Sequence, residues 1–411
     1  MKIAIAGGGI GGLTLALALH RVGLSPVVFE QAPQIREVGV GINTLPHAIR
    51  ELADLGLLKA LDSIAIRTKT LVYKTATGQN IVSQPRGTWA GYDVPQFSIH
   101  RGMLQRVLAD AVVERLGSDA IKTGHRLNAF SQTADAVALS VTPEDRVEQT
   151  YAFDALVGAD GIHSVVRCHF SQNEGPPRWS GIVMWRGATW VPPFGDGQTM
   201  IIAGGLDTKL VLYPIHNAPQ RPGETLMNWV ICARVGEDGA PLDLADDWTR
   251  RARADDVMPY VAGKIAIDEI DVAALIRQTE QIYVYPMADR DPLERWTDRR
   301  VTLMGDAAHP MYPVGSNGAS QAILDAIALA RHVEADGIAG LEAYDCERRP
   351  ATSEIVVMNR KGGPERIIDL VEARAPDGFD DLDAIASRDE IEAIVGGYQK
   401  LAGFSVEQVN A

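Results

Sequence analysis

Short apolar runs, bounded by glycine, proline and polar residues, recur along this chain and alternate with stretches of helical period. Lys2-Ile3-Ala4-Ile5-Ala6 opens with a run that predicts a buried parallel strand. Residues 13–22 then carry Leu13, Ala16, Leu17 and His20 on one helical stripe, with Gly23 placed as a C-cap. Val27-Val28-Phe29 predicts a second strand. Further strand-like runs lie at Thr70-Leu71-Val72-Tyr73, Ala155-Leu156-Val157, Gly181-Ile182-Val183-Met184-Trp185, Lys209-Leu210-Val211-Leu212-Tyr213, Asn228-Trp229-Val230-Ile231 and Val301-Thr302-Leu303-Met304. The set from 181 to 285 reads as hairpin-rich antiparallel sheet inserted into a βαβ domain, to which the chain returns near Val301. Helical period resumes at 319–333, where Ala322, Ile323, Ala326, Ile327 and Ala330 share a face. Beyond Arg349, helical stretches are interrupted by the turn Ala375-Pro376-Asp377-Gly378.

Bulk properties narrow the options without choosing one. A chain of 411 residues exceeds the usual size of one hydrophobic core, so two domains are expected. The net charge of −14 argues against nucleic acid or an anionic membrane as partner. Met1 runs straight into the first strand, leaving no room for a signal peptide, and no apolar run approaches a membrane span. Cys168, Cys232 and Cys346 are far apart and form no CxxC, which fits a reduced, cytoplasmic protein. The nine histidines show no paired metal-ligand spacing, so no metal is expected, and there is no GxSxG nucleophile elbow.

The first strand ends in Gly7-Gly8-Gly9-Ile10-Gly11-Gly12, a GxGxxG pattern at Gly7, Gly9 and Gly12. Gly7 permits the tight turn, Gly9 lets backbone N–H groups approach a pyrophosphate, and Gly12 lets the helix pack close to the sheet. The helix start offers unpaired N–H donors and about half a positive charge to phosphate oxygens. Glu30, at the end of the second strand, is placed to accept hydrogen bonds from ribose hydroxyls. Strand, turn, helix, strand and acid in this register predict an adenine dinucleotide, and the absence of a second such fingerprint implies one stably bound copy.

Two later motifs narrow the chemistry. One is Asp154-Ala155-Leu156-Val157-Gly158-Ala159-Asp160-Gly161-Ile162-His163-Ser164-Val165-Val166-Arg167. The other is Arg300-Val301-Thr302-Leu303-Met304-Gly305-Asp306-Ala307-Ala308-His309-Pro310, continuing through Pro313, Gly315, Asn317 and Gly318. Together with the amino-terminal glycines, they resemble the single-component (class A) FAD-dependent aromatic hydroxylases, over roughly residues 1–350. Gly39-Val40-Gly41-Ile42-Asn43, Ser98-Ile99-His100-Arg101-Gly102 and Met184-Trp185-Arg186-Gly187 are most similar to the phenazine-modifying and salicylate-hydroxylase-like members. The tail Glu372-Ala373-Arg374-Ala375-Pro376-Asp377-Gly378-Phe379 departs from the phenazine-modifying pattern, which leaves the substrate open.

The resemblance implies an α/β fold: a Rossmann-like FAD-binding domain of the p-hydroxybenzoate hydroxylase type, an inserted mainly antiparallel β-sheet substrate domain, and a C-terminal helical region. Its expected boundaries are 1–70, 97–178 and 287–350 for FAD, 71–96 and 179–286 for substrate, and 351–411 for a helical cap. It also implies that Asp306 accepts from the FAD ribityl, with Gly305 and Ala307 keeping the approach open; an N-cap carboxylate for the next helix is a second role for Asp306 that does not exclude the first. Gly315, Gly318 and Ala319 would bring backbone N–H groups and a helix dipole to the flavin. The family more often has Gln and Asn where Asn317 and Ser320 stand, so the backbone is the better basis. By the same likeness Arg101 reaches the phosphates and ribityl, Gly11 sits in the glycine turn, and Val40 and Gly41 run along the flavin through their backbone. Asp160 and Gly161 match a motif associated with FAD and nicotinamide. Leu127 would pack near adenine, though core packing serves it equally well, and a surface ion pair is open to Arg101. His163 and His309 read as structural.

The implied reaction is hydroxylation of an aromatic or heteroaromatic substrate, carboxylated or phenolic, through a flavin C4a-hydroperoxide. NADH or NADPH acts as transient co-substrate with O2, and water is excluded. Candidate pocket residues are Trp185, Arg186, Tyr213, His216, Tyr285, Met287 and Pro313. Arg186 could hold a carboxylate, and Tyr213 or His216 could deprotonate or hydrogen-bond a ring hydroxyl. A FAD-dependent reductase or oxidase that inserts no oxygen shares the flavin motifs and stays open at this level.

Overall fold

The computed structural model describes residues 1–35, 40–144, 147–205, 207–240 and 250–411. The opening apolar run forms the strand Ile3–Ala6, every residue of it buried. It is central in a six-stranded sheet ordered Thr297–Asp298, Val301–Leu303, Ala155–Gly158, Ile3–Ala6, Val27–Phe29, Ile121–Lys122. Neighbours are parallel except for Thr297–Asp298, which pairs antiparallel with Val301–Leu303. Parallel strands are covered on both faces, which is why these runs lack polar alternation.

The helix Ile10–Arg21 packs between Gly318–Asp336 and Arg101–Leu116. Its residues are buried without a break from Gly12 to Leu19, whereas His20 is exposed. The single apolar stripe read from the pattern is therefore a helix enclosed on all sides, and His20 lies off it. Gly23 closes the helix with φ +82°, and the Leu24 N–H reaches back to the Leu19 carbonyl at 2.9 Å. An antiparallel meander, His125–Gln132, Val137–Pro143 and Gln149–Phe153, packs beside this sheet. Phe29 meets Tyr151 and Phe153 edge-on, with ring centroids 5.2 and 5.8 Å away.

A second large sheet has eight strands: Arg251–Ala252, Ile282–Asp289, Arg178–Val191, Thr225–Arg234, Thr208–His216, Thr199–Ala203, Thr70–Lys74, Asn80–Pro85. Only Thr199–Ala203 and Thr70–Lys74 run parallel. Side chains alternate across the pleat. Val183, Trp185, Leu210, Leu212, Trp229 and Ile231 face a helical layer that contributes Val257, Val261, Leu275 and Ile276. Their sequence neighbours face the dinucleotide domain. At the far end, Ile367, Ile368, Val371, Ile394 and Val395 pack on Leu71, Tyr73, Ile81, Met200 and Ile202.

The helix Gly340–Arg360 runs straight through Pro350, so the 350/351 boundary expected from the pattern falls inside a helix. Proline disfavours a helix interior, but burial of Tyr344, Ile355 and Val356 along the same helix holds it there.

The two late motifs are tied together by Arg167, which is only 2% exposed. Its guanidinium donates to the carbonyls of Ala308 (2.7 Å), Ala307 (3.1 Å) and Asp291 (2.8 Å) and pairs with Glu174. Without Arg167, Glu174 still pairs with Arg290 at 3.0 Å, but the carbonyls of Ala307, Ala308 and Asp291 lose their charged donor, at about 1.5–3 kcal/mol per such bond and about 3–5 kcal/mol together. Arg167→Ala should accordingly lose about that much stability, read as a lowered denaturant midpoint; a midpoint equal to the parent's would show that the linkage does not hold the turn.

Candidate flavin site

Ala6, Gly158 and Leu303 stand level in adjacent parallel strands. The chain therefore leaves the sheet at Gly7, Ala159 and Met304 side by side, in the crevice beyond the carboxyl ends of the strands where such folds bind ligands. Gly7 has φ +111°, and a Cβ there would lie 2.2 Å from the Ala159 carbonyl oxygen. A Cβ on Gly12 would lie 2.1 Å from the Gly7 oxygen. Around the Cβ position of Gly9 there is nothing within 4 Å, so its bare backbone fronts open space. Gly9 caps Ile10–Arg21 without a side-chain bond, and the first turn holds no acid. The N–H groups and positive end of this helix are thus available to an anion.

The open space is one continuous cleft. It runs from Gly9, Ile10 and Gly11 past Arg101 to Gly305 and Asp306, and on to Pro313, Asn317, Gly318 and Ala319. Gly9 and Arg101 also line a side cavity with Glu30 and Gln105. Glu30 is held there by the N–H groups of Gly8 and Ala32, each at 2.7 Å. Asp306 lies on a single turn, Gly305–Ala307, that starts with Gly305 at φ +55°. Its carboxyl is solvent-accessible through the cleft, yet the enclosing walls act as burial and push its pKa up, against the pull of His309 and Arg101. A Cβ on Gly318 would sit 3.9 Å from Asp306 Oδ1, so the carboxylate faces the start of Gly318–Asp336. An extended dinucleotide fits this set: glycines where phosphates must approach, a cation midway, and a carboxylate at each end.

Asp325, buried in Gly318–Asp336, fixes the Asp306 turn from behind. It accepts from the Gly305 N–H (2.9 Å), His309 Nε2 (2.5 Å) and Arg348 Nε (2.8 Å). Burial alone would raise its pKa, but His309 and Arg348 outweigh it and hold the carboxyl at about 2. His309 is thus a structural histidine.

The eight-stranded sheet supplies the opposite wall of the cleft: Met184, Arg186, Lys209, Val211, Tyr213, Val230, Cys232 and Met287. Arg186 Nη2 donates to the Gly41 carbonyl (2.8 Å), while its buried Nε has no partner among the described residues. Burial pushes Tyr213 up to about 12, with Arg186 pulling the other way. This upward shift disfavours the phenolate and favours Tyr213 as a hydrogen-bond donor.

Several expected residues sit elsewhere. Trp185 points to the far face, stacked on Tyr260 at 4.9 Å, because its neighbours Met184 and Arg186 take the cleft side of the pleat. His216 follows a register shift in its strand; it meets the Ile64 carbonyl at 2.9 Å and the edge of Trp190, away from the cleft. Tyr285 is half-buried beside Met184 on the cleft face without lining the cavity. Val40 and Gly41 spend their backbone groups on Arg101, Asn228 and Arg186, and the next two residues, Ile42 and Asn43, line the cleft instead. Gly39 lies outside the described residues. Leu127 packs in the domain core. Asp160 accepts from Ser164 Oγ (2.5 Å) and the Val165 N–H (2.8 Å), closing its own loop, while Ala159 and Gly161 face the cleft. Gly315, at φ +67°, shapes the turn behind the cleft: a Cβ would strike the Tyr398 ring at 2.5 Å. The Asn317 side chain bonds Tyr398, leaving its backbone to the cleft. Lys209, Cys232, Glu365 and Asp325 escaped the sequence reading. Lys209 was discoverable, since in Lys209-Leu210-Val211-Leu212-Tyr213 it shares a face with Tyr213; Glu365 arrives from a distant turn with no pattern to announce it.

Comparison with known proteins agrees with the geometry. A family model described as FAD binding domain matches residues 1–359. Phenazine 1,6-dicarboxylic acid hydroxylase of Lysobacter antibioticus is 44% identical over 370 residues, covering 87% of this chain and 89% of that protein. 3-Hydroxybenzoate 6-hydroxylase 1 of Aquipseudomonas alcaligenes is 30% identical over 371 residues, with 87% and 88% covered. The crystal structure of Klebsiella pneumoniae HpxO complexed with FAD and uric acid shares the fold, with a TM-score of 0.70 at 22% identity, covering 100% of this chain and 95% of that one. A hydrogen bond to a charged group contributes about 1.5–3 kcal/mol, so Asp306→Ala should weaken FAD binding about 10–100-fold. Flavin fluorescence quenching on reconstitution of the apoprotein measures this, and unchanged affinity would strip Asp306 of that role. The chain belongs to the FAD-binding-domain family, among its FAD-dependent aromatic monooxygenases.

Proposed function

We propose that this enzyme hydroxylates an aromatic or heteroaromatic ring bearing a carboxylate or phenolic hydroxyl, and that the ring lies between the Gly305-Asp306 turn and the eight-stranded sheet. The observation that carries this reading is the composition of the sheet wall. Met184, Val211, Val230 and Met287 make it apolar, and Arg186 and Tyr213 are polar groups set into it. Fused heteroaromatic acids of the kind named for the 44%-identical relative are the first candidates.

A bound FAD would supply hydride acceptance from NADH or NADPH and the activation of O2. The chain's own residues do the rest. Gly9 and the start of Ile10–Arg21 hold the pyrophosphate, with Arg101 beside them; Glu30 takes the adenine-side ribose and Asp306 the ribityl. The N–H groups at Gly318 and Ala319 favour negative charge on the reduced ring system. The Arg186 guanidinium, which lines the cleft, takes a substrate carboxylate oxygen. Tyr213 donates a hydrogen bond to a second oxygen. The apolar side chains exclude water, so the activated oxygen goes to the ring rather than being lost as hydrogen peroxide. One oxygen atom enters the ring and the other leaves as water. The three cysteines are unpaired, which supports a cytoplasmic setting.

The test is a panel of aromatic carboxylates, phenols and fused heteroaromatics, led by phenazine-1,6-dicarboxylic acid and 3-hydroxybenzoate. At least one should stimulate NAD(P)H oxidation and yield a product carrying one atom from labelled O2. Stimulated oxidation with no label in any product would turn the assignment to a reductase or oxidase. Arg186→Leu should raise KM about 10–100-fold for a carboxylated substrate, the loss of one charge-assisted bond, and much less for its uncharged amide. Equal effects on acid and amide would remove Arg186 from carboxylate recognition.

A further inference from the structure

Beside the cleft, on the same face of the sheet, lies a second cavity, lined among others by Arg178, Ser180, Ile182, Arg234 and Tyr312. Five residues line both this cavity and the cleft: Lys209, Cys232, Met287, Val314 and Glu365. The two spaces are therefore divided by a wall one residue thick, in which Lys209 and Cys232 stand opposite each other on neighbouring strands. At its centre Lys209 and Glu365 form a buried ion pair, their side chains 10% and 9% exposed. Lysine, methionine and glutamate are unbranched chains that can swing without moving backbone.

The second cavity has the equipment to receive a ligand. Tyr312 is 5% exposed, yet its hydroxyl has no partner among the described residues. Its ring packs with Ile182, Met287 and Val314, giving an aromatic face beside an unspent hydroxyl. Two arginines stand nearer solvent. Arg178 pairs with Asp238 at 2.5 Å and Arg234 with Asp207 at 3.7 Å, all four side chains being at least 36% exposed. Exposed pairs of this kind are weak and exchange readily. Arg360, by contrast, is engaged by both Asp289 and Asp291. Arg178 and Arg234 keep Asp238 and Asp207 beside them, and Asp369 also lines the cavity. An incoming carboxylate therefore gains by exchanging for the two exposed aspartates of those pairs rather than by entering a positive field.

We propose that this second cavity is a holding site for the aromatic acid, which passes from it to the cleft when the Lys209–Glu365 pair parts. This rests on the substrate class given above. The groove from Glu30 to Asp306 belongs to the cofactor, so a ring bound against Arg186 and Tyr213 needs a route of its own. Arg178 and Arg234 take up the carboxylate, Tyr312 hydrogen-bonds it, and Lys209 exchanges Glu365 for the incoming carboxylate before the ring reaches Arg186.

A route alters the rates of arrival and departure together and leaves the equilibrium alone, which gives the test its signature. In FAD-loaded enzyme carrying Cys168→Ser, Cys346→Ser and Asp238→Cys, a bulky maleimide is attached at the mouth; Cys232 is buried and stays unlabelled. Binding of phenazine-1,6-dicarboxylate and 3-hydroxybenzoate is followed by stopped-flow flavin absorbance before and after labelling. Labelling should slow association and dissociation at least tenfold, with Kd within twofold and substrate-free NAD(P)H oxidation unchanged. Normal binding before labelling with the same rates afterwards overturns the route alone. Failure of the unlabelled enzyme to bind any aromatic acid in the panel overturns the substrate assignment itself. Glu365→Gln releases Lys209 from its partner while keeping the side chain's shape, and both rates should rise at least threefold. Equal or slower rates in a variant with normal flavin content would show that the ion pair is no barrier.

Discussion

Everything in this molecule depends on the register of three parallel strands. Ala6 lies level with Gly158, and Gly158 with Leu303, so turns separated by some three hundred residues of chain emerge two strand spacings, about 10 Å, apart. Glycine is required at this meeting because backbones there approach closer than a Cβ allows, as Gly7 against Ala159 shows. A shift of one residue in either pairing would separate the glycine turn from the Asp306 turn, and an extended dinucleotide could no longer span them.

Buried charge keeps those turns in place. Arg167 holds the carbonyls of Ala307 and Ala308 from one side, and Asp325 holds the Gly305 N–H and His309 from the other. Burying such groups is costly unless each finds partners, and here each makes several. The consequence is directional: Asp306, in the middle of the turn, has none of these duties and is left facing the cleft.

The other wall is governed by the pleat. In Arg178–Val191 one parity faces a helical layer and the other faces the cleft, so adjacent residues have opposite fates. Trp185 becomes core while Arg186 faces the cavity. The same parity puts Lys209, Val211 and Tyr213 together on the wall, and side by side on that one face the cleft and the second cavity are parted only by a few side chains.

Much of this was legible in the residues alone. The glycine turn, its helix, the acid at position 30, the motif at 305–306 and the antiparallel insertion follow from local rules: period, turn chemistry, and the residue types that a phosphate or a ribose demands. Those features are written within short windows, where sequence and conformation are closely coupled. What only the tertiary structure decided concerns distance and direction. The sequence of the strand at 208–216 does not show where a bulge will turn His216 away, and nothing near position 350 announces that packing of Tyr344, Ile355 and Val356 will carry a helix through proline. Glu365 meets Lys209 across 156 positions of chain, and Asp160, which its motif marks for the cofactor, is consumed by its own loop. Which side chain faces which neighbour is settled by packing over the whole molecule, and no local pattern encodes it.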